Sequence, residues 1–311
     1  MPSRPSTTAR RRPLRMPLLA LAAALSASLV TSCSGDPSPG SGPPAATAAS
    51  PPSAGDAGPL HDAQQILLRD CMRRHGFAYT VFPLDEESAA VRFPYVVDDA
   101  DWARRHGYGG DLARRAARLA AGDPNRAYFA SLPPDRRARA LVVSNGPSPQ
   151  GLSVRLPGGG ELRRSDRGCV AEAERSLYGD HGAWFRASAR VDALDRIRRG
   201  RVAAEPAYGA GLRAWSRCMR KAGHSYTTPV AARAAATGPK HPLPRDREVA
   251  LALAEAACAA SSGLGATARR LDARHGAALR AEYRADVDTR DRLRARALTR
   301  ARQILRAHGA P

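Results

Sequence analysis

Lysine is almost missing from this chain. Of 49 basic residues only Lys221 and Lys240 are lysine, and the rest are arginine. Aromatics are scarce too, with 5 Phe, 3 Trp and 8 Tyr in 311 residues. A core built mainly on large rings is therefore excluded, and small apolar side chains must fill it. There is no G-x-S-x-G, no H-E-x-x-H, and no Gly-Lys-Ser/Thr after the glycines at 158–160. The nucleophile elbow, the zinc-protease helix and the phosphate loop drop out. No C-x-x-C pair occurs, which removes the usual structural zinc ligand set. The longest apolar run, Met16 to Val30, has 15 residues and is short for a transmembrane helix.

That run does suit a signal peptide. Arg4, Arg10, Arg11, Arg12 and Arg15 precede it with no acid among them. Val30-Thr31-Ser32-Cys33 follows it and looks like a bacterial lipobox, in which Cys33 is lipidated and becomes the first mature residue. Residues 1–32 are therefore expected to be removed, by the general or the twin-arginine route. Removing five arginines and no acid from 49 basic and 29 acidic residues leaves a net charge of +15. Basic chains often bind nucleic acid, but an extracytoplasmic address argues against it. An Arg bias this lopsided, with abundant Ala and Gly, matches a GC-rich coding sequence. Anionic lipid or wall polymer remains a candidate partner for such a surface. Residues 34–59 are Ser, Gly, Pro, Ala and Asp with one Thr, short of apolar periodicity, and read as a flexible tether.

One ten-residue stretch occurs twice. Residues 71–80 are C-M-R-R-H-G-F-A-Y-T, and 218–227 are C-M-R-K-A-G-H-S-Y-T, at an offset of 147. Gly76 and Gly223 suit the left-handed position past a helix end. Arg73, Arg74, Arg220 and Lys221 fall in the last turn, where cations favour the helix dipole. Tyr79 and Tyr226 are placed to fold back onto the helix. With Cys33 assigned to lipid, four cysteines remain, and an even count in an exported chain implies disulfides. Three connectivities are possible. The repeat favours Cys71–Cys169 and Cys218–Cys258, one per copy, each bridge adding about 4–5 kcal/mol at most by loop-closure entropy.

Elsewhere the pattern is helical. Asp98 or Asp99 caps a short helix through His106, Asp111 a second, Asp123-Pro124 a third and Pro133-Pro134-Asp135 a fourth. Residues 152–156 and 161–163 flank a glycine run and signal a hairpin. Asp166 is expected to cap the helix carrying Cys169. A helix over 183–199 should stop at Gly200, residues 228–245 read as a loop, and 266–305 as one long amphipathic helix able to meet a partner. The expected fold is mainly α: a disulfide-stapled helical domain over 61–311 with a small β-hairpin, after the signal peptide (1–32) and the lipidated Cys33 with its linker (33–60).

The order C-M-R-R-H-G-F, R-H-G-Y-G at 105–109, S-N-G at 144–146, G-C-V-A-E-A-E at 168–174, W-S-R-C-M-R-K-A-G at 215–223, E-A-A-C at 255–258 and A-E-Y at 281–283 resembles a family of uncharacterised exported actinobacterial lipoproteins. The resemblance implies an exported, cysteine-paired helical domain and carries no catalytic residue. His224 stands where members have an aromatic after the glycine.

Candidate chemistry is thin. His61-Asp62 and Asp180-His181 place an acid beside a histidine, but capping accounts for such aspartates. Asp98, Asp99 and Asp101 lack the Gly and terminal Glu of a calcium loop. Asp286, Asp288 and Asp291 sit among arginines and read as solvated pairs. Glu172, Glu174 and Glu282 are the carboxylates a wall hydrolase of unrecognised type would need to bring together. With no catalytic signature, metal ligand set or cofactor motif, the expectation is a non-enzymatic lipoprotein on the outer face of the cell membrane, of binding or accessory type. An envelope protein meeting the C-terminal helix is the expected partner. Replacing Cys33 with Ser should move the protein from the membrane pellet to the soluble fraction. Intact-mass measurement of the wild-type N-terminus should show a diacylglycerol-modified Cys33, and an unmodified N-terminus would refute the lipobox reading.

Overall fold

The computed structural model describes residues 56–82, 84–85, 92–147 and 151–309. The signal peptide, Cys33 and the tether up to residue 55 lie outside them. Twelve helices and one hairpin are described. They are α1 (Ala57–Arg74), α2 (Ala100–His106), α3 (Gly110–Ala121), α4 (Pro124–Ser131) and α5 (Pro134–Asn145), then β1 (Gly151–Arg155) and β2 (Glu161–Ser165). There follow α6 (Cys169–Tyr178), α7 (His181–Ala203), α8 (Pro206–Lys221), α9 (Pro229–Thr237), α10 (Arg245–Ser261), α11 (Leu264–Glu282) and α12 (Arg284–Ala307). The domain is mainly α, with two cysteine pairs at bonding distance, as expected.

Both repeat copies end their helices in the same hydrogen-bonded stop. In α1, Phe77 N donates to Met72 O at 3.0 Å and Gly76 N to Arg73 O at 3.0 Å. In α8, His224 N donates to Met219 O at 2.8 Å and Gly223 N to Arg220 O at 3.1 Å. This is the Schellman pattern, and the glycines take φ of 78° and 84°. One turn back, the sulfurs of Cys71 and Cys169 lie 1.98 Å apart, and those of Cys218 and Cys258 1.97 Å apart. The first pair ties α1 to α6, and the second ties α8 to α10.

Packing follows from the small apolar side chains. Leu60, Ala63 and Ile66 of α1 meet Leu177 of α6 and Ala297, Ala301 and Leu305 of α12. Below the first stop, Leu68, Met72 and Phe77 pack with Leu132, Ala140 and Cys169. Trp215 and Met219 of α8 pack with Leu251, Cys258 and Leu264. Helix α7 lies along both α11 and α12 and against β1. The hairpin is antiparallel, with Val154 opposite Leu162.

Several local expectations change. The segment 266–305 belongs to two helices, because Tyr283 (φ −108°, ψ 30°) closes α11 and opens α12. Tyr283 N donates to Leu279 O, while Tyr283 O accepts from Val287 N, both within 3.0 Å. Of the two, α11 packs on α8, and α12 packs on α1 and α6. Gly200 does not stop α7, which runs to Ala203 just before Pro206; packing along two helices outweighs the roughly 1 kcal/mol that glycine costs in a helix. The expected loop at 228–245 contains α9, begun by Thr228 as N-cap and Pro229 at the first position. Asp111 and Asp166 are not the caps of α3 and α6; Gly109 and Gly168 hold those positions. Asp99 and Asp123 do cap α2 and α4.

An added Cβ at Gly76 or Gly223 would meet nothing within 4 Å, so only backbone strain opposes alanine there. Gly76→Ala and Gly223→Ala should each lower unfolding stability by about 1–2 kcal/mol, equally in the two copies. Denaturant melts of the two variants check this, and a neutral effect at either site would contradict the shared stop.

Candidate functional site

The first copy builds a pocket above its helix stop. The Schellman turn sends the chain back along α1, so Tyr79 Oη donates to Gln65 Oε1 at 2.8 Å. Burial raises the Tyr79 phenol above its ordinary range. The next residues are held by two clamps. Asn125 accepts from Thr80 N at 2.7 Å and donates to Thr80 O at 2.8 Å. His61 Nε2 donates to Phe82 O at 2.8 Å. Helices α4 and α5 close the far side with Tyr128, Phe129, Ala140 and Leu141. The result is a pocket of about 450 Å³, floored by Met72 and open to solvent beside Leu141, which keeps 48% of its surface exposed. That volume is in the usual range for small-molecule sites.

The second copy treats the same helix face differently. At the offset of 147, His61, Gln65, Met72 and Tyr79 correspond to Tyr208, Leu212, Met219 and Tyr226. These four belong to one packed cluster with Trp215, which stands at the position of Leu68. Ala232 and Ala236 of α9, Leu243 and Tyr108 complete it. The face that lines a pocket in one copy carries more apolar side chains in the other, where Tyr208, Leu212 and Tyr226 are partly buried against the cluster.

Two buried carboxylates on α10 explain much of the second half. Glu248 and Glu255 are 1% and 0% exposed. Glu248 Oε1 accepts from Tyr108 N at 3.0 Å and Gly110 N at 2.9 Å. Glu255 accepts from Val97 N at 2.7 Å and from Tyr108 Oη at 2.6 Å. A Cβ at Gly110 would stand 2.6 Å from Glu248 Oε2, so only glycine permits this approach. Burial pushes Glu255 up to about 7, against the pull of Tyr108, the Val97 amide and Arg233. Burial also drives the Tyr108 phenol far up, with Glu255 adding to it.

The carboxylates expected to meet do not. Glu172 pairs with Arg74 beside the first disulfide. Glu174 sits between Arg164 and His181, with His181 Nε2 3.0 Å away, and burial lowers the His181 pKa. Glu282 pairs with Arg201 at 3.2 Å. Asp180 caps α7 through Ala183 N, and Asp98 pairs with Arg269. Asp286 lies 3.1 Å from Arg190, and Asp291 3.5 Å from Arg290. A second, polar groove of about 630 Å³ runs between α7, α11 and α12. Its acids are paired: Asp195 with Arg198 of the same helix at 2.8 Å, and, across the groove, Asp272 with Arg198 at 2.9 Å and Asp192 with Arg290 at 3.5 Å. His75 lies near Cys71 and Cys169 in a spacing a metal could use, but the two sulfurs are spent in their bridge.

The chain matches no protein-family model, no curated protein and no solved structure.

The pH dependence of Glu255 has a definite sign. Its folded pKa lies above the ordinary carboxylate value, so the folded state holds a proton that the unfolded state releases. Its contribution is fully present below about pH 4 and is lost as pH rises through about 7. The loss is up to about 3 kcal/mol. Glu255→Gln should flatten that fall, so the gap in denaturation midpoint between pH 5 and pH 8 should shrink relative to wild type. An unchanged gap would contradict a protonated Glu255.

Proposed function

We propose that this chain is an extracytoplasmic lipoprotein, held to the outer face of the membrane by lipid on Cys33, that binds a small molecule in its first repeat copy. The observation that carries the reading is the aromatic pocket between α1, α4 and α5, where the second copy has Tyr208 and Leu212 packed against a cluster in place of His61 and Gln65. The signal peptide, lipobox and tether supply the address, and the resemblance to exported actinobacterial lipoproteins agrees with it. No single helix among the described residues is long and apolar enough to cross a membrane.

An accessory role is part of the same proposal. The outer side of α12 exposes Arg292, Arg296 and Arg306. Those guanidiniums suit an acidic envelope protein or an anionic wall polymer, and salt would weaken either contact.

Native mass spectrometry of protein extracted gently from its own envelope tests the binding reading. Wild type should carry a small-molecule adduct that heat or organic solvent releases. Ala78→Trp, which places an indole at the pocket mouth, should lack it. Ala78 is exposed, so the variant should fold. A wild-type mass with no adduct, or the same adduct in both proteins, would count against binding at this site.

A further inference from the structure

The chemistry of the pocket wall and the internal repeat together narrow what the site can hold. Tyr79, Phe82, Tyr128 and Phe129 present four rings to one cavity, in a chain with few rings to spend. Aromatic walls favour flat or ring-bearing partners through offset and edge contacts. Several polar atoms of the lining are already engaged. Gln65 Oε1 takes the Tyr79 hydroxyl, and His61 Nε2 is bonded to Phe82 O. Asn125 clamps Thr80 on both sides, and Asp123 accepts from Asn125 N at 2.9 Å as the α4 cap. Arg126, the one guanidinium at the pocket, is exposed to solvent, where a charge pair is worth little. A buried ligand anion would therefore lose its hydration with no buried cation in the lining to offset it.

The second copy supplies a template for the occupant. There the equivalent face packs with apolar Leu243, Ala232 and Ala236 and with the ring of Tyr108. That ring keeps its single hydroxyl bonded, to Glu255. One copy covers the face with an uncharged ring and small aliphatic groups of its own chain. In the other the face looks into open space of ligand size.

We infer that the first-copy pocket binds a ring-bearing apolar molecule that carries no anionic group and has at most one or two polar groups. This rests on the binding reading above and adds the class of ligand. Phe82 and Tyr128 stack against the ring, and Leu141 covers its exposed edge. Polar groups on the ligand point outward to Ser144 and the solvent.

The experiment uses the full mature chain with Cys33→Ser, so that no detergent micelle competes for the probe. Two fluorescent probes are titrated, N-phenyl-1-naphthylamine, which is neutral, and 1-anilinonaphthalene-8-sulfonate, which shares its rings but carries a sulfonate. The neutral probe should bind saturably at one site and at least tenfold tighter than the anionic one. Ala78→Trp and Leu141→Glu should each weaken it at least tenfold. Val230→Glu, a change at an apolar side chain 72% exposed on α9, should not. Unchanged thermal melts of the two pocket variants would show that they fold. Tighter binding of the anionic probe, with both pocket variants still weakening it, would overturn the ligand class and leave the binding reading standing. Probe binding indifferent to both pocket variants, or none at all, would overturn the inference and the pocket reading with it.

Discussion

A helix end that is both cross-linked and closed on itself is the constraint on which the fold rests. A Schellman stop satisfies the last carbonyls of α1 and α8, and a disulfide one turn earlier fixes each of those turns to a second helix. Neither device alone would suffice. A stop without the bridge leaves the helix free to slide, and a bridge without the stop leaves the end to fray. Together they fix the axial position and the rotation of α1 against α6 and of α8 against α10. The loops they close span 98 and 40 residues, so each bridge removes about 4–5 kcal/mol of unfolded-state entropy at most. For a core dominated by alanine and leucine, that is a large share of a typical net stability.

From that common frame the two copies have diverged in one respect. The backbone turn, glycine, cysteine and returning tyrosine are shared. The helix face before the stop is not. His61 and Gln65 become Tyr208 and Leu212, and Leu68 becomes Trp215. Each of these changes adds apolar surface on the second side, and α9 with Tyr108 packs over it. The first side keeps two polar groups that bond to the returning chain and hold it off the helix. A cavity survives where the side chains that prop it open are themselves satisfied, because an unpaired polar group there would favour collapse or solvation.

Much of this architecture was legible in the sequence. The cysteine pairing followed from the repeat, and the hairpin from its glycine run. Asp99 and Asp123 marked helix starts where they stand. What the sequence concealed is what depends on neighbours. Tyr283 looks like any residue in a helical stretch, and only the need to pack on two sides makes it a joint. Gly200 carries a stop signal that packing overrides. Glu248 and Glu255 were missed as buried groups, although a signal was present: they are seven residues apart, on the same face as Leu251, Ala252 and Cys258. A glutamate on an apolar face needs donors, and R-H-G-Y-G-G supplies them as backbone N–H groups reachable only past glycine. The pocket was the least legible part, since its rings come from the turn after α1 and from α4, and spacing alone does not bring those together.

The same contacts say what several short segments of the sequence do in the fold. R-H-G-Y-G meets E-A-A-C through Tyr108 and Glu255. S-N-G meets the G-C of α6 backbone to backbone, since a side chain on Gly168 would run into the Gly146 amide. C-M-R-R-H-G-F meets the same G-C through its disulfide. A-E-Y is the joint between α11 and α12. These segments bind one another and hold the domain together. All four pocket rings, Tyr79, Phe82, Tyr128 and Phe129, lie outside these segments, so the residues that line the pocket are largely separate from those that hold the domain together.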